Sequence, residues 1–204
     1  MNDQIKKLLA AFSKRKIPCS YVKNRGEAAK WVLSHIQPHS TVGIGGSETI
    51  NELKIELLLK EKGCTVYWHW HAKNPEEAAV IRHKAMNADT YLCSSNAISE
   101  DGRLVNIDGT GNRVASMVFG PKKVLVVAGI NKIAENLDAA LQRVKDVACP
   151  LNARRLGLNT PCAKTGKCHD CNSPHRICNV TTIIEGKPSG VDMHVLIVGE
   201  NMGF

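Results

Sequence analysis

The sequence predicts an α/β fold, a largely parallel sheet flanked by helices on both faces. Three observations predict it. Short apolar, β-branched runs alternate with segments of helical periodicity along most of the chain. Several of these runs end in Gly-, Ser- or Asn-rich turns that hand over directly to the next helix. No internal repeat or low-complexity tract breaks the order.

Residues 2–16 read as a Lys-rich amphipathic helix, with Ile5, Leu8, Leu9 and Phe12 at helical spacing. Tyr21-Val22 is a short strand. Gly26 to Ile36 is helical, and Pro38 stops it. Ser40 to Ile44 is a buried strand running into Gly45-Gly46-Ser47, and a helix is expected from Glu48 to Lys62, closed by Gly63. Cys64 to Trp70 is the next strand; its period of two would put His69 and His71 on one side and Trp68 and Trp70 on the other. Pro75 in a first turn opens a helix that runs to about Asn87. Asp89 to Ser95 is a strand, and residues 96–110 form a hairpin turning at Glu100-Asp101-Gly102. Gly109 to Arg113 leads into a short helix ending near Phe119. Lys123 to Gly129 is the most strand-like run. Glu135 to Val147 is an amphipathic helix that can extend through Arg154. Val180–Ile184 and His194–Val198 close the chain as strands.

At 204 residues the chain is expected to make a single domain, with residues 1–24 as an N-terminal helical segment and 160–179 as a separate loop. No stretch approaches the ~20 apolar residues of a membrane span, and no apolar signal-peptide core follows the first basic residues. A cytoplasmic protein is expected. The formal charge is +8, spread without blocks, and aromatics are only 4%, which gives no base-stacking platform. The basic balance reads first as a solvated surface, then as attraction for a small anionic substrate, and last as nucleic-acid binding. An oligomer is allowed by the sequence and not required by it.

The loop at 160–179 holds four of the eight cysteines, Cys162, Cys168, Cys171 and Cys178, spaced C-x5-C-x2-C-x6-C among Gly, Pro, Lys, Asn and His. It has almost nothing apolar to bury, so a thiolate-bound metal is the natural anchor. The spacing matches neither common ferredoxin pattern, and the usual zinc ribbon would need a second C-x-x-C pair. An iron–sulfur cluster is the first choice, zinc the second, and metal-free redox thiols the third. His169 and His175 are possible substitutes for one sulfur. Cys19, Cys64, Cys93 and Cys149 stand singly and read as small core residues.

Two glycine-rich turns carry the candidate chemistry. In the first, Gly45, Gly46, Ser47 and Thr49 offer close backbone approach, hydroxyls and a helix N-terminus to a phosphate or carboxylate. Glu48 beside them is a candidate acid/base or a plain first-turn carboxylate. In the second, Asp108 is a candidate general base, and Gly109, Thr110, Gly111, Asn112 and Arg113 follow it, with Arg113 suited to an anion. Asn96 and Lys132 lie at the ends of two further strands. Ligands of open α/β sheets gather beyond the carboxyl ends of strands, so these turns should line one pocket. The alternative for each is an ordinary turn or cap.

These pieces together resemble the LUD (lactate utilisation) domain family: Val42 to Thr49, Ser95 to Ser99, Ile107 to Arg113, Val126 to Lys132, Asn152-Ala-Arg154 and Val198 to Phe204. A short stand-alone branch of that family carries a C-terminal cysteine cluster. The resemblance implies a fold similar to the NagB, ribose-5-phosphate isomerase and CoA-transferase superfamily, with phosphate or cofactor at the first glycine turn. It also implies redox metabolism of lactate or a related hydroxy acid alongside an iron–sulfur partner protein, which would make the chain a possible oxidoreductase subunit. Two other roles stay open: a non-enzymatic subunit or sensor whose metal controls docking to a redox partner, and a sugar-phosphate isomerase-like enzyme with structural zinc.

Overall fold

A computed structural model describes residues 2–204. Helix α1 (Asp3–Lys14) starts where the Asn2 side chain accepts from the Ile5 N–H, and it buries Ile5, Leu8 and Phe12. Strand β1 (Cys19–Val22) and helix α2 (Arg25–Ser34) follow, then β2 (Thr41–Ile44). The expected helix over 48–62 is two, α3 (Glu48–Glu52) and α4 (Glu56–Glu61). It breaks because Lys54 takes a left-handed backbone at φ 52°. The break lets Ile50, Leu53, Ile55 and Leu59 all reach the core.

Strand β3 (Thr65–Trp68) also ends early. Residues 69–71 wind into a 3-10 turn, so the expected alternation stops: Trp68 and Trp70 stack as two residues on one side would, but His71 joins them, edge-on to Trp68 with ring centres 5.2 Å apart. Helix α5 (Pro75–Met86) leads to β4 (Thr90–Cys93), and the hairpin is β5 (Ala97–Ser99) with β6 (Leu104–Asp108). Helix α6 (Asn112–Val118), β7 (Lys123–Gly129), a 3-10 turn at Ile130–Lys132 and the two-residue β8 (Ile133–Ala134) come next. Helix α7 (Leu137–Arg143) passes through a π-helical turn at Val144–Ala148 into α8 (Cys149–Arg155). The cysteine segment opens with a short helix, α9 (Pro161–Thr165), and the chain ends in β9 (Val180–Ile184) and β10 (Asp192–Val198).

Six strands form an all-parallel sheet in the order β1-β10-β7-β4-β2-β3. Alternate residues of β7 point to opposite faces: Val124, Val126 and Ala128 pack with α1, and Leu125 and Val127 pack with α2. Gly43 lets α5 lie against β2, because a Cβ there would run into the Ala85 carbonyl. The hairpin and Val180–Ile184 leave this sheet. They build a second one, β8-β5-β6-β9, in which β6 runs antiparallel to both neighbours. Ala97, Val105 and Ile107 of this sheet pack on Ala140, Val144 and Ala148 of the α7 segment. No described helix is long and apolar enough to cross a membrane.

Candidate functional site

The carboxyl ends of the neighbouring strands β7, β4, β2 and β3 open on one side of the parallel sheet, and the carboxyl end of β6 faces them. A cleft of about 240 Å³ lies between. Both glycine turns line it: Gly46 to Thr49 after β2, and Asp108 to Thr110 with Asn112 and Arg113 after β6. Asn96 and Lys132 line it too. Gly45 and Gly111 sit just behind the wall. The Gly45 N–H donates to Leu92 O at 2.9 Å, and Gly111 takes φ 89° to start α6.

Ser47 spends its hydroxyl capping α3, accepting from Ile50 N–H at 3.3 Å. With only five residues α3 has a small dipole, and what it offers an anion is the unused N–H groups of its first turn. Glu48 is held at the rim by Arg155, 3.4 Å away, and accepts from Asn51 Nδ2. The Thr49 hydroxyl accepts from Lys132 Nζ at 2.8 Å and donates to Met202 O.

Lys132 is the most buried charge lining the cleft. It is 3% exposed, and its ammonium donates only to two neutral hydroxyls, Thr49 Oγ1 and Ser94 Oγ, the latter at 2.9 Å. Burial, then the nearby Arg143 and Arg113, push its pKa down to about 7. Asp108 presents a carboxylate with one oxygen committed and one spare. Oδ1 accepts from Gly111 N–H at 3.1 Å, and Oδ2 is buried without a hydrogen bond, 3.5 Å from Arg113 Nε.

Arg113 differs from expectation. Its Nη1 donates to Ser94 O and Asn106 Oδ1, and its Nη2 to Asn96 Oδ1 and Ile107 O. The fork expected to grip an anion grips the chain instead and contributes charge at a distance. Asn96 is likewise committed, since its Oδ1 also accepts from Ile107 N–H.

The cleft is also lined by four residues that the strand-and-turn reading did not place in an anion site: His69, Trp70, Arg82 and Arg155. The 3-10 turn delivers His69 and Trp70, whose rings fill the space a Gly46 side chain would need. Burial, then Arg82, lowers the His69 pKa to about 4, so its imidazole is neutral near pH 7. Arg155 stacks over Trp70 at 4.8 Å. The helical spacing of Arg82 and Arg155 gave no sign of this convergence, which depends on how α5 and α8 are docked.

A second void of about 140 Å³ is lined by Cys162, Cys168, Cys171 and Cys178, joined by Cys149. Cys149 is buried in the core as expected, packed with Val105, Ile107 and Val144, and α8 also brings it to the cysteine segment. Arg176 holds that segment by donating to Cys171 O at 2.6 Å and Cys178 O at 3.0 Å, and Arg154 donates to Ala163 O. The Asp170 N–H donates to Cys168 Sγ at 3.4 Å. The closeness of the two thiols lowers the Cys178 pKa and raises that of Cys149. His169 lines the void, though its Nε2 is engaged 2.8 Å from Thr165 Oγ1; His175 is not part of the lining. Among the described residues no three His, Cys, Asp or Glu side chains are already drawn together as a metal-holding set.

The LUD domain family model matches residues 5–198, nearly the whole chain. The chain belongs to the LUD domain family. A DUF162 family protein from Deinococcus radiodurans shares the fold of this LUD domain: 11% identity, 96% of each chain covered and a TM-score of 0.55. The delta subunit of eIF2B from Chaetomium thermophilum is similar over 67% of this chain and 55% of its own, at 17% identity and a TM-score of 0.39, too low to argue from. No curated protein matches the sequence.

Proposed function

We propose that this LUD-domain protein binds a small carboxylate or phosphate in the cleft between its two sheets and carries a thiolate-held metal centre in the neighbouring void, in redox metabolism of lactate or a related hydroxy acid. The buried Lys132 ammonium is the observation that carries the reading. Burying a charge is expensive unless a counter-charge meets it, and among the described residues Lys132 donates only to hydroxyls, with the Glu52 carboxylate acting on it through space without a hydrogen bond. Arg82, Arg113, Lys132 and Arg155 line the cleft against two carboxylates, Glu48 and Asp108. An anion supplies the missing charge. In this reading the first turn and Lys132 bind it, Arg113 and Asn96 hold the wall in shape, and Asp108 Oδ2 is the base for a substrate hydroxyl.

The thiol-lined void suits the metal half of the proposal. Its volume is roughly ten times the ~10–15 Å³ that admits one water, so a polynuclear iron–sulfur cluster has room, as has zinc. A cluster there would supply electron transfer; zinc would only pin the loop. Ile107 lines both cavities, so the two sites share a wall.

The test is a titration of the metal-loaded protein with L-lactate and with inorganic phosphate, followed by backbone amide shifts. Shifts should concentrate at Gly46 to Thr49 and Asp108 to Arg113. Shifts confined to other surfaces would overturn the placement. A visible absorption band in anaerobically purified protein supports the cluster, and a colourless zinc protein would replace it with the structural-zinc reading.

A further inference from the structure

Cys149 does not fit the role of a filler. It is buried at the first position of α8, it packs with Cys178 in one cluster, and it faces the same void as the four loop cysteines. The helix geometry just before it is unusual. Val144–Ala148 forms a π-helical turn, and the extra residue in such a turn rotates everything downstream by about 100° relative to a regular α-helix. That rotation helps aim Cys149 at the void. π turns have weaker hydrogen-bond geometry than α turns and recur at functional sites.

Helix α8 has a second attachment. Asn152 and Arg155 line the anion cleft, three and six residues beyond Cys149. At helical spacing these three residues make one stripe, which runs from the thiol void to the cleft. Arg154, one position off the stripe, donates to Ala163 O in the cysteine segment at 3.0 Å.

We infer that Cys149 is a ligand of the metal centre, and that the centre is thereby seated on α8 so that its occupancy sets the position of Asn152 and Arg155 in the anion cleft. This rests on the metal-and-anion reading above. Ligation deprotonates the Cys149 thiol, its proton passes to solvent, and a metal–sulfur bond replaces the S–H bond. With the metal gone, α8 is held to the cysteine segment by the Arg154 contact and by the packing of Cys149 with Cys178. Because binding free energies are reciprocal, an anion that favours the ordered α8 must also favour the metal.

The experiment compares full-length wild type with Cys149→Ser, Cys149→Ala, Cys171→Ser and Cys64→Ser, all purified anaerobically. Cys64 is a buried thiol remote from the void and serves as the control. Iron, sulfide and zinc are counted per chain, visible absorption is recorded, and circular dichroism confirms the fold. Both Cys149 variants should lose metal as Cys171→Ser does, while Cys64→Ser keeps it. Phosphate and L-lactate should bind at least about fivefold more weakly to chelator-treated wild type than to the metal-loaded protein, a coupling of ordinary size.

Full metal content in folded Cys149→Ala would overturn the inference and leave the metal reading standing. Equal anion affinity with and without metal would overturn the coupling. A wild type that holds no metal would bring down both. If both Cys149 variants fail to fold, the anion affinities of loaded and stripped wild type decide the coupling, and alkylation mapping of the wild type decides the ligand. Cys149 labelled only after chelation supports it, and Cys149 labelled equally in both states overturns it.

Discussion

Lys132 concentrates the chemistry of the cleft at one atom. Its pKa of about 7 lies below the ordinary lysine value, so the unfolded chain binds more protons than the folded one between about pH 7 and 10.5. Stability conferred by this site therefore rises with pH across that window, and the charge-burial penalty is fully present below pH 7. Lys132→Met should raise the unfolding midpoint at pH 6 and raise it less at pH 9, measured by thermal denaturation. The proposed anion binding runs the other way, since it would need the ammonium. L-Lactate affinity should fall as pH rises above 7, and the Met variant should lose that dependence along with roughly tenfold or more in affinity, read by calorimetry. His69, already neutral near pH 7, does not contribute in this range. Arg113 belongs to a different class. Arg113→Ala would strand buried acceptors on Ser94, Asn96, Asn106 and Ile107. It should cost on the order of 2–4 kcal/mol of stability in urea denaturation as well as weakening binding. Lost binding with unchanged stability would restore a direct anion contact.

Among the elements, packing decides what the local pattern leaves open. Strand β2 can approach α5 only because Gly43 has no side chain. Gly43→Ala would force the Ala85 backbone aside and should destabilise the protein by about 1–3 kcal/mol, visible as a lowered urea midpoint with unchanged m-value. The same crowding explains why α5 stays aligned with the sheet and presents Arg82 to the cleft. The C-terminal tail acts on the opposite side. Gly203, at φ 56°, passes so close to Thr49 that a Cβ would sit 2.5 Å from its hydroxyl, and the Gly203 N–H donates to Glu52 Oε1 at 3.0 Å. The tail thus braces the turn that holds Lys132 in place.

For the whole molecule, the +8 charge and the cleft's cationic surplus act over different distances. Salt screens exposed charges beyond a Debye length of about 10 Å at 0.1 M and about 3 Å at 1 M, but screens a buried contact much less. Raising salt over that range should slow the association of a small anion several-fold while leaving its dissociation rate nearly unchanged, measured by stopped-flow. A dissociation rate that rises in step with salt would place the anion on the surface instead of against Lys132.

The sequence by itself determined the parallel α/β class, most elements, the hairpin and the family. Those follow from local periodicity, from breakers such as Pro38, Gly63 and Pro75, and from turn residues adjacent in the chain. It also marked both glycine turns and the four clustered cysteines. Only the tertiary structure decided that the hairpin and Val180–Ile184 form a separate sheet, since an isolated β-branched run carries no record of its partner strand. Only docking brought His69, Arg82 and Arg155 to the cleft and Cys149 to the thiols, from positions scattered through the chain. The commitment of Arg113 to protein acceptors was equally hidden, because a guanidinium's partners are set by which carbonyls and side chains the fold places within about 3 Å of it.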